Sequence, residues 1–406
     1  MVGRARAFVG RYPRPFWALI GAGGIRSAAS GLFVPYWGLY LVQERGASGL
    51  QAGALLALAG GMGLIGAPLG GILADRFGRR RTLIVALAMS GAWFVAYGLI
   101  DNLVALAFVT LLGIGGDLEG PATSAAIVDL VDPELRTEAF GLRRQASNIA
   151  FALGPPLGSL FVLEFSMRWL FVLAGAASFL YLAVVIREVP ETKPEGGSER
   201  PRFRHALRDR SLLTLALGVG IAVALYAQFD TVLGVFLHQD RGYALASWGL
   251  IIGINPLLVG LGQLSVSRRV ARRSARKMLA LGVLLQGVAL TVLWPTSALP
   301  VLIVSVVVLT FGEMILGPIE STVAASLAPA HLRGSYEAVV DTAFAVSWSP
   351  GVLAGMWLVG RGSGTVMLAL GLPLAIGAAL CFLRLPDISA GGEPIDLVAL
   401  PGHHAG

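Results

Sequence analysis

The chain has 406 residues, of which 55% are hydrophobic and only 14% charged, with 53 glycines and a formal net charge of +7. A composition this apolar excludes a soluble globular protein and a disordered one, and requires burial in lipid. The basic excess does not indicate a nucleic-acid partner, because the Lys and Arg residues lie in short segments between apolar stretches rather than on one domain face.

Twelve apolar spans follow one another, at about 15–43, 47–74, 81–100, 103–130, 138–164, 168–187, 211–238, 246–268, 277–295, 299–327, 335–359 and 364–384. The basic residues sort by connection. Both termini and the even-numbered connections hold twenty-six Lys and Arg, the other connections only Arg45, Arg168, Arg241 and Arg361, and Arg26 falls inside span 1. That asymmetry predicts a multi-pass protein of the cell (inner) membrane with both termini in the cytoplasm. The segment before span 1 is basic and lacks a small-residue cleavage site, so span 1 is expected to be its own insertion signal. The single cysteine, Cys381, lies in an apolar run and excludes a disulfide framework or a cysteine metal cluster.

Between spans 2 and 3 lies a tight charged loop, Gly71-Ile72-Leu73-Ala74-Asp75-Arg76-Phe77-Gly78-Arg79-Arg80-Arg81. Gly78 permits the reversal, Gly71 is expected to let its helix lie against a neighbour, and Asp75 is an acid at a helix end that can latch onto another helix end. The pattern G-x-L-A-D-R-x-G-R-R-x-x-L resembles the signature between helices 2 and 3 of the major facilitator superfamily. The resemblance implies an all-α membrane protein of twelve transmembrane helices arranged as two parallel six-helix bundles, with Gly71, Asp75, Arg76, Gly78, Arg79 and Arg80 as a gating loop.

Span 4 carries Asp117 and Glu119, two residues apart and so on nearly opposite helix faces; one is expected to face a cavity and the other a neighbouring helix. Span 5 reads Gly141-x8-Ala150-x3-Gly154-Pro155-x2-Gly158-Ser159. Small residues at these spacings leave a smooth groove for a second helix, and Pro155 removes a backbone donor and bends its own. The span is similar to the signature of the superfamily's drug:proton antiporters, with Ala150 and Ser159 as small-for-glycine replacements. Arg143 and Arg144 are read as the cytoplasmic end of this span, where basic side chains snorkel.

The segment 188–210, rich in Pro, Gly and charge, reads as a cytoplasmic linker dividing an N-terminal bundle, 1–187, from a C-terminal bundle with a short cytoplasmic tail, 211–406. The halves repeat: Gly115-x4-Gly120-Pro121 recurs as Gly312-x4-Gly317-Pro318, and Leu135-Arg136 as Leu332-Arg333, at an offset of 197. Parallel halves around a midplane site are the architecture of alternating access. The second arginine loop, around Arg268 to Lys277, has no acid at the place of Asp75.

Charged groups inside a membrane are costly unless paired or facing water, so each is a functional candidate. Besides Asp117 and Glu119 these are Asp230 in span 7, and Glu313 and Glu320 on one face of span 10. An acid in an apolar cavity has its charged form disfavoured and is suited to loading and releasing protons, which makes Glu313, Asp117, Asp230, Glu320 and Glu119 proton-coupling candidates, Glu313 first. The alternative for each is a structural ion pair, for instance Arg26 with Asp117 or Glu313. Arg26, Asn148, Tyr36, Trp37, Phe229 and Met314 are cavity candidates, although most such aromatic and thioether residues belong to helix packing. The superfamily's antiporters carry R-x-x-Q-G on span 4, where this chain has Gly116 for the arginine and Glu119 for the glutamine. Arg26 of span 1 is at the depth to supply the missing positive charge.

No ATPase phosphate loop and no histidine pair at metal-binding spacing within a span are present, which argues against an enzyme, a cofactor and a metal site. The reading is a monomeric secondary transporter in membrane lipid: a proton-coupled exporter of small amphiphilic or drug-like molecules. The alternatives are a facilitator-type uptake permease for a metabolite, a lipid flippase, or a non-transporting membrane receptor.

Overall fold

The computed structural model describes residues 9–192, 206–296, 298–329 and 332–388. Most of the linker, the adjacent His403 and His404 and the rest of the C-terminal tail lie outside the described residues. Among those described, eleven helices are long and apolar enough to cross a membrane. They are α1 (Arg14–Gln43), α2 (Gly49–Phe77), α3 (Arg79–Leu99), α4 (Leu103–Leu130), α5 (Glu138–Glu164), α6 (Arg168–Glu188), α7 (Arg210–Arg241), α8 (Leu245–Val270), α10 (Leu299–Leu327), α11 (Ser335–Gly360) and α12 (Gly364–Leu383). The remaining expected span is α9 (Ala275–Thr291), whose 17 residues reach about 25 Å, at the short limit for a crossing.

Local chemistry sets the ends and bends. Ser48 and Gln51 form a reciprocal capping box at the start of α2, and the Asn102 side chain accepts from Val104 N and Ala105 N to open α4. Gly78, with φ of 102°, separates α2 from α3 in a conformation that a side chain would strain. Pro35 coincides with a 3-10 turn in α1, and α7 widens into a π-helical turn over Gln228–Val232, which contains Asp230.

The chain forms two compact units. The first comprises residues 1–199, 227–260 and 348–367, the second 200–226, 261–347 and 368–406. In the first, α1 lies on α5 and α6, α2 on α4, and α3 on α6. The α1–α5 crossing is backbone on backbone: a Cβ added to Gly154 would overlap Gly31 and come within 2.6 Å of Leu32 N, and one on Gly158 would come within 2.7 Å of Leu32 O. The groove expected from the small residues of span 5 is thus filled from Gly154 onward, whereas a Cβ at Gly141 would meet nothing within 4 Å. Ser159 bonds the Tyr36 hydroxyl at 2.8 Å, and both oxygens lie against Gly249 of α8. In the second unit, α9 packs on α10 and α12 through Gly282 with Gly312 and through Gly287 with Gly371. Large apolar side chains such as Phe108, Leu163 and Leu261 point outward, as a lipid-facing surface requires.

Gly154→Val is expected to lower stability by about 1–3 kcal/mol, because the added methyls have no space between two backbones. Gly141→Val should leave the thermal unfolding midpoint unchanged, and the two variants measured side by side check the assignment of the crossing.

Candidate functional site

Three groups of polar residues occupy this apolar frame. The first surrounds the arginine loop. Arg79 is buried, its Nε 2.8 Å from Asp129 Oδ2 and its Nη1 3.1 Å from Asp75 Oδ1, while Nη1 also donates to Ala74 O at 2.9 Å. One guanidinium therefore ties the end of α2, the start of α3 and the end of α4 together, a use of its fixed fork that a lysine could not reproduce. The exposed Arg76 lies over the Phe77 ring at 5.3 Å. Asp75, expected to latch onto another helix end, joins Arg79 at the start of α3. The close approach expected at Gly71 falls at Gly70, where a Cβ would come within 2.6 Å of Leu118 O; at Gly71 it would meet nothing within 4 Å.

The start of α3 is capped from the far end of the first half. Glu191 accepts from Arg80 N at 3.0 Å and Arg81 N at 3.1 Å, and Thr192 O accepts from Arg79 N at 3.0 Å. Arg80 also donates to Ile186 O. A Cβ on Gly78 would collide with the Glu191 carboxylate, so the glycine serves the cap as well as the turn. A carboxylate on exposed helix amides is favoured by both hydrogen bonding and the helix dipole.

The second group lies inside the first unit, where α1, α4, α5 and α6 converge on a polar cavity of about 120 Å³. Arg26 Nη1 stands 3.4 Å from Glu119 Oε2, and Glu119 Oε1 accepts from Thr123 at 2.5 Å and from Tyr181 at 3.4 Å. Glu119 and Thr123 are one turn apart and so share a face. Arg26 lies over Gly116: a Cβ there would sit 3.4 Å from its Nη2. Arg143 turns inward instead of snorkelling and donates to Ser124 at 2.8 Å, and Ser147, one turn on, bonds Ser27 at 2.6 Å. Asp117 points the other way, onto Gly63 and Gly66 of α2. The two mid-span acids of α4 thus divide as their spacing requires, Glu119 toward the cavity and Asp117 toward a helix. Asn148 is exposed and does not line this cavity.

The third group belongs to the second unit. Ala222, Val223, Tyr226, Leu316 and Phe344, with Gln286 of α9, wall a cavity of about 320 Å³ into which Glu313 and Glu320 open, two turns apart on α10 with Gly317 between them. At the 197-residue offset of the repeat, Arg26, Glu119, Thr123 and Ser147 of the first cavity correspond to Val223, Leu316, Glu320 and Phe344 of the second, while Gly116 corresponds to Glu313. The two cavities occupy equivalent places in the two halves of the sequence but differ in chemistry: a lining with two arginines and a glutamate in one, a mostly apolar wall with two acids in the other.

The remaining candidates pack among the helices or bond locally. Tyr36, Phe229 and Met314 are almost fully buried, Phe229 against Trp248 and Met314 against Gly262. Trp37 joins Phe33, Trp93 and Tyr97 in an aromatic cluster. Asp230 accepts from Thr231 at 3.3 Å within the π turn. No group of three metal-ligating side chains occurs among the described residues. Asp129, Glu191, Arg143, Ser147 and Tyr181 were not singled out as partners from the sequence, and only the fold supplies their neighbours.

The family model of the Major Facilitator Superfamily matches residues 19–352. Among curated relatives, a Na(+), Li(+), K(+)/H(+) antiporter of Planococcus maritimus is 27% identical over 350 residues, covering 77% of this chain and 82% of its own. The multidrug resistance protein MdtH of Shigella flexneri serotype 5b is 27% identical over 347 residues, covering 82% and 84%. Two solved transporters share the fold. A POT family transporter in complex with a thioalcohol-conjugated peptide superposes with a TM-score of 0.77 at 15% identity, over 91% of this chain and 96% of its own. The nucleoside transporter NupG gives 0.77 at 12% identity, over 91% and 98%.

Arg79→Ala leaves Asp129 without its partner and should destabilise the protein by about 3 kcal/mol. Glu191→Ala removes only a cap and should cost about 1 kcal/mol. Thermal unfolding of both variants in neutral detergent checks the ranking, which a purely surface role for Arg79 would reverse.

Proposed function

Since the chain belongs to the major facilitator superfamily, and is therefore a multi-pass membrane transporter and not an enzyme, we propose that it is a proton-coupled exporter of amphiphilic or drug-like molecules. The observation that carries the proposal is the second cavity. Glu313 and Glu320 open together into a space walled by Tyr226, Leu316, Phe344 and Val223. The two carboxyls can take up and release a proton beside the substrate, and the greasy wall suits the apolar part of an amphiphile. The named relatives support the reading, one being an antiporter that exchanges protons and the other a multidrug resistance protein.

In this reading the protein is a monomer of the inner membrane with both termini in the cytoplasm, as the arginine asymmetry argues. The two six-helix halves, 1–187 and 211–406 with the linker 188–210, alternate access, and the Asp75–Arg79–Asp129 network clasps the cytoplasmic ends of α2, α3 and α4. Among the acids, Glu313 loads the proton, Glu320 and Asp117 assist it, and Glu119 holds Arg26. The first relative favours a second reading, exchange of an alkali cation for protons by the same two glutamates.

Reconstituted protein should move protons inward as it exports an amphiphilic dye, and collapse of the pH gradient should stop accumulation. Glu313→Gln should abolish uphill transport while exchange of dye down its own gradient survives. Proton movement driven by Na⁺, Li⁺ or K⁺ with no dye flux would select the cation reading, and dye movement indifferent to pH would remove proton coupling.

A further inference from the structure

The cavity of the first unit contains more positive charge than it neutralises. Its lining includes two guanidinium groups, Arg26 and Arg143, and one carboxylate, Glu119. Glu119 is engaged by Arg26, Thr123 and Tyr181 together. Among the described residues Arg143 forms no ion pair; its donor bond goes to the neutral hydroxyl of Ser124. The Nε–H of Arg26 is buried and has no hydrogen-bond partner. Asp117, two residues before Glu119 on α4, faces Gly63 and Gly66 and is not part of the lining.

An arginine cannot shed its charge, so a guanidinium turned into a helix bundle has to face water or be met by an anion or another acceptor, and a cavity lined by two guanidiniums and one carboxylate favours an anion. Arg143 lies one turn inside α5 and is long enough to snorkel outward, yet it points at Ser124. The other polar groups of the lining are hydroxyls, Ser27, Ser147, Thr123 and Tyr181, and Leu19, Ile20, Gly23 and Gly24 of α1 complete it. A fork of N–H donors with hydroxyls around it matches the oxygens of a phosphate or carboxylate, and a volume of about 120 Å³ admits such a group but not a whole amphiphile. The repeat-related cavity supplies the contrast, since the places of Arg26 and Glu119 are there taken by Val223 and Leu316.

We propose that the cavity between α1, α4, α5 and α6 is an oxyanion subsite, in which Arg143 and the free edge of Arg26 hold the phosphate or carboxylate headgroup of the amphiphile. Binding of the oxyanion stands on the cavity alone; that the headgroup belongs to a transported molecule rests on the export reading. The substrate is then an anionic or zwitterionic amphiphile.

Equilibrium titration of the purified full chain in neutral maltoside micelles, with no ion gradient, tests the site. The probes are octyl phosphate below its own micellar concentration, inorganic phosphate and octyltrimethylammonium. Octyl phosphate should bind and octyltrimethylammonium should not, and Arg143→Gln should weaken octyl phosphate by about tenfold or more, the loss of one charge-assisted contact. Arg143→Lys, which keeps the charge and loses the fork, should fall between. Octyl phosphate much tighter than inorganic phosphate identifies an amphiphile headgroup, and equal affinities identify a site for the free ion; both retain the oxyanion subsite. Preference for the ammonium probe, or unchanged octyl phosphate affinity in a folded Arg143→Gln, overturns it. Binding without proton-linked flux would leave the site and remove the export reading, and flux without octyl phosphate binding would do the reverse.

Discussion

A guanidinium inside a helix bundle has to face water or find a partner, and Arg26 meets that constraint with Glu119 at 3.4 Å. Much of the first unit follows from it. The absence of a side chain at Gly116 makes room for Arg26 beside α4. The contact of Gly31 with Gly154 brings α5 close enough to α1 for Ser147 to reach Ser27. Thr123 and Tyr181 then occupy the second oxygen of Glu119, so that the acid is hydrogen-bonded on both sides. A half-satisfied pair at this place would be worse than an apolar core, which is why three helices contribute partners to one carboxylate.

The repeat shows how one arrangement of helices can serve two chemistries. Gly116 and Glu313 are equivalent positions, as are Arg26 and Val223. Where the first half has an arginine reaching over a glycine, the second has a glutamate facing a valine-lined wall. The helix-packing glycines are retained through this exchange, because Gly115 and Gly312 both pack tightly on the preceding helix. Packing and chemistry have therefore diverged independently: small residues hold the helices in register while their neighbours change charge.

The twelve spans were legible because a bilayer demands long apolar runs, and the observed ends fall within a few residues of those expected. The opposite faces of Asp117 and Glu119 followed from helical spacing alone. What the sequence did not disclose is which helices meet. Gly71 was expected to pack and Gly70 does, since a one-residue shift rotates the contact by 100° around the helix. Arg143 looks like any basic residue at the end of a span until Ser124 is placed opposite it. Glu191 belongs by composition to the linker, and its bond to the amides of α3 spans more than a hundred residues, beyond the reach of any local pattern.

The dependence of the first unit on the Arg26–Glu119 pair is tested most directly by thermal unfolding of Arg26→Leu, Glu119→Leu and the double variant in the same neutral micelles. Each single variant strands a buried charge and should lose about 3 kcal/mol, whereas the double variant, with two leucines in place of two charges, should be more stable than either. Losses that simply add in the double variant would mean that the two side chains act independently, and the pair would no longer account for the arrangement of α1 and α4.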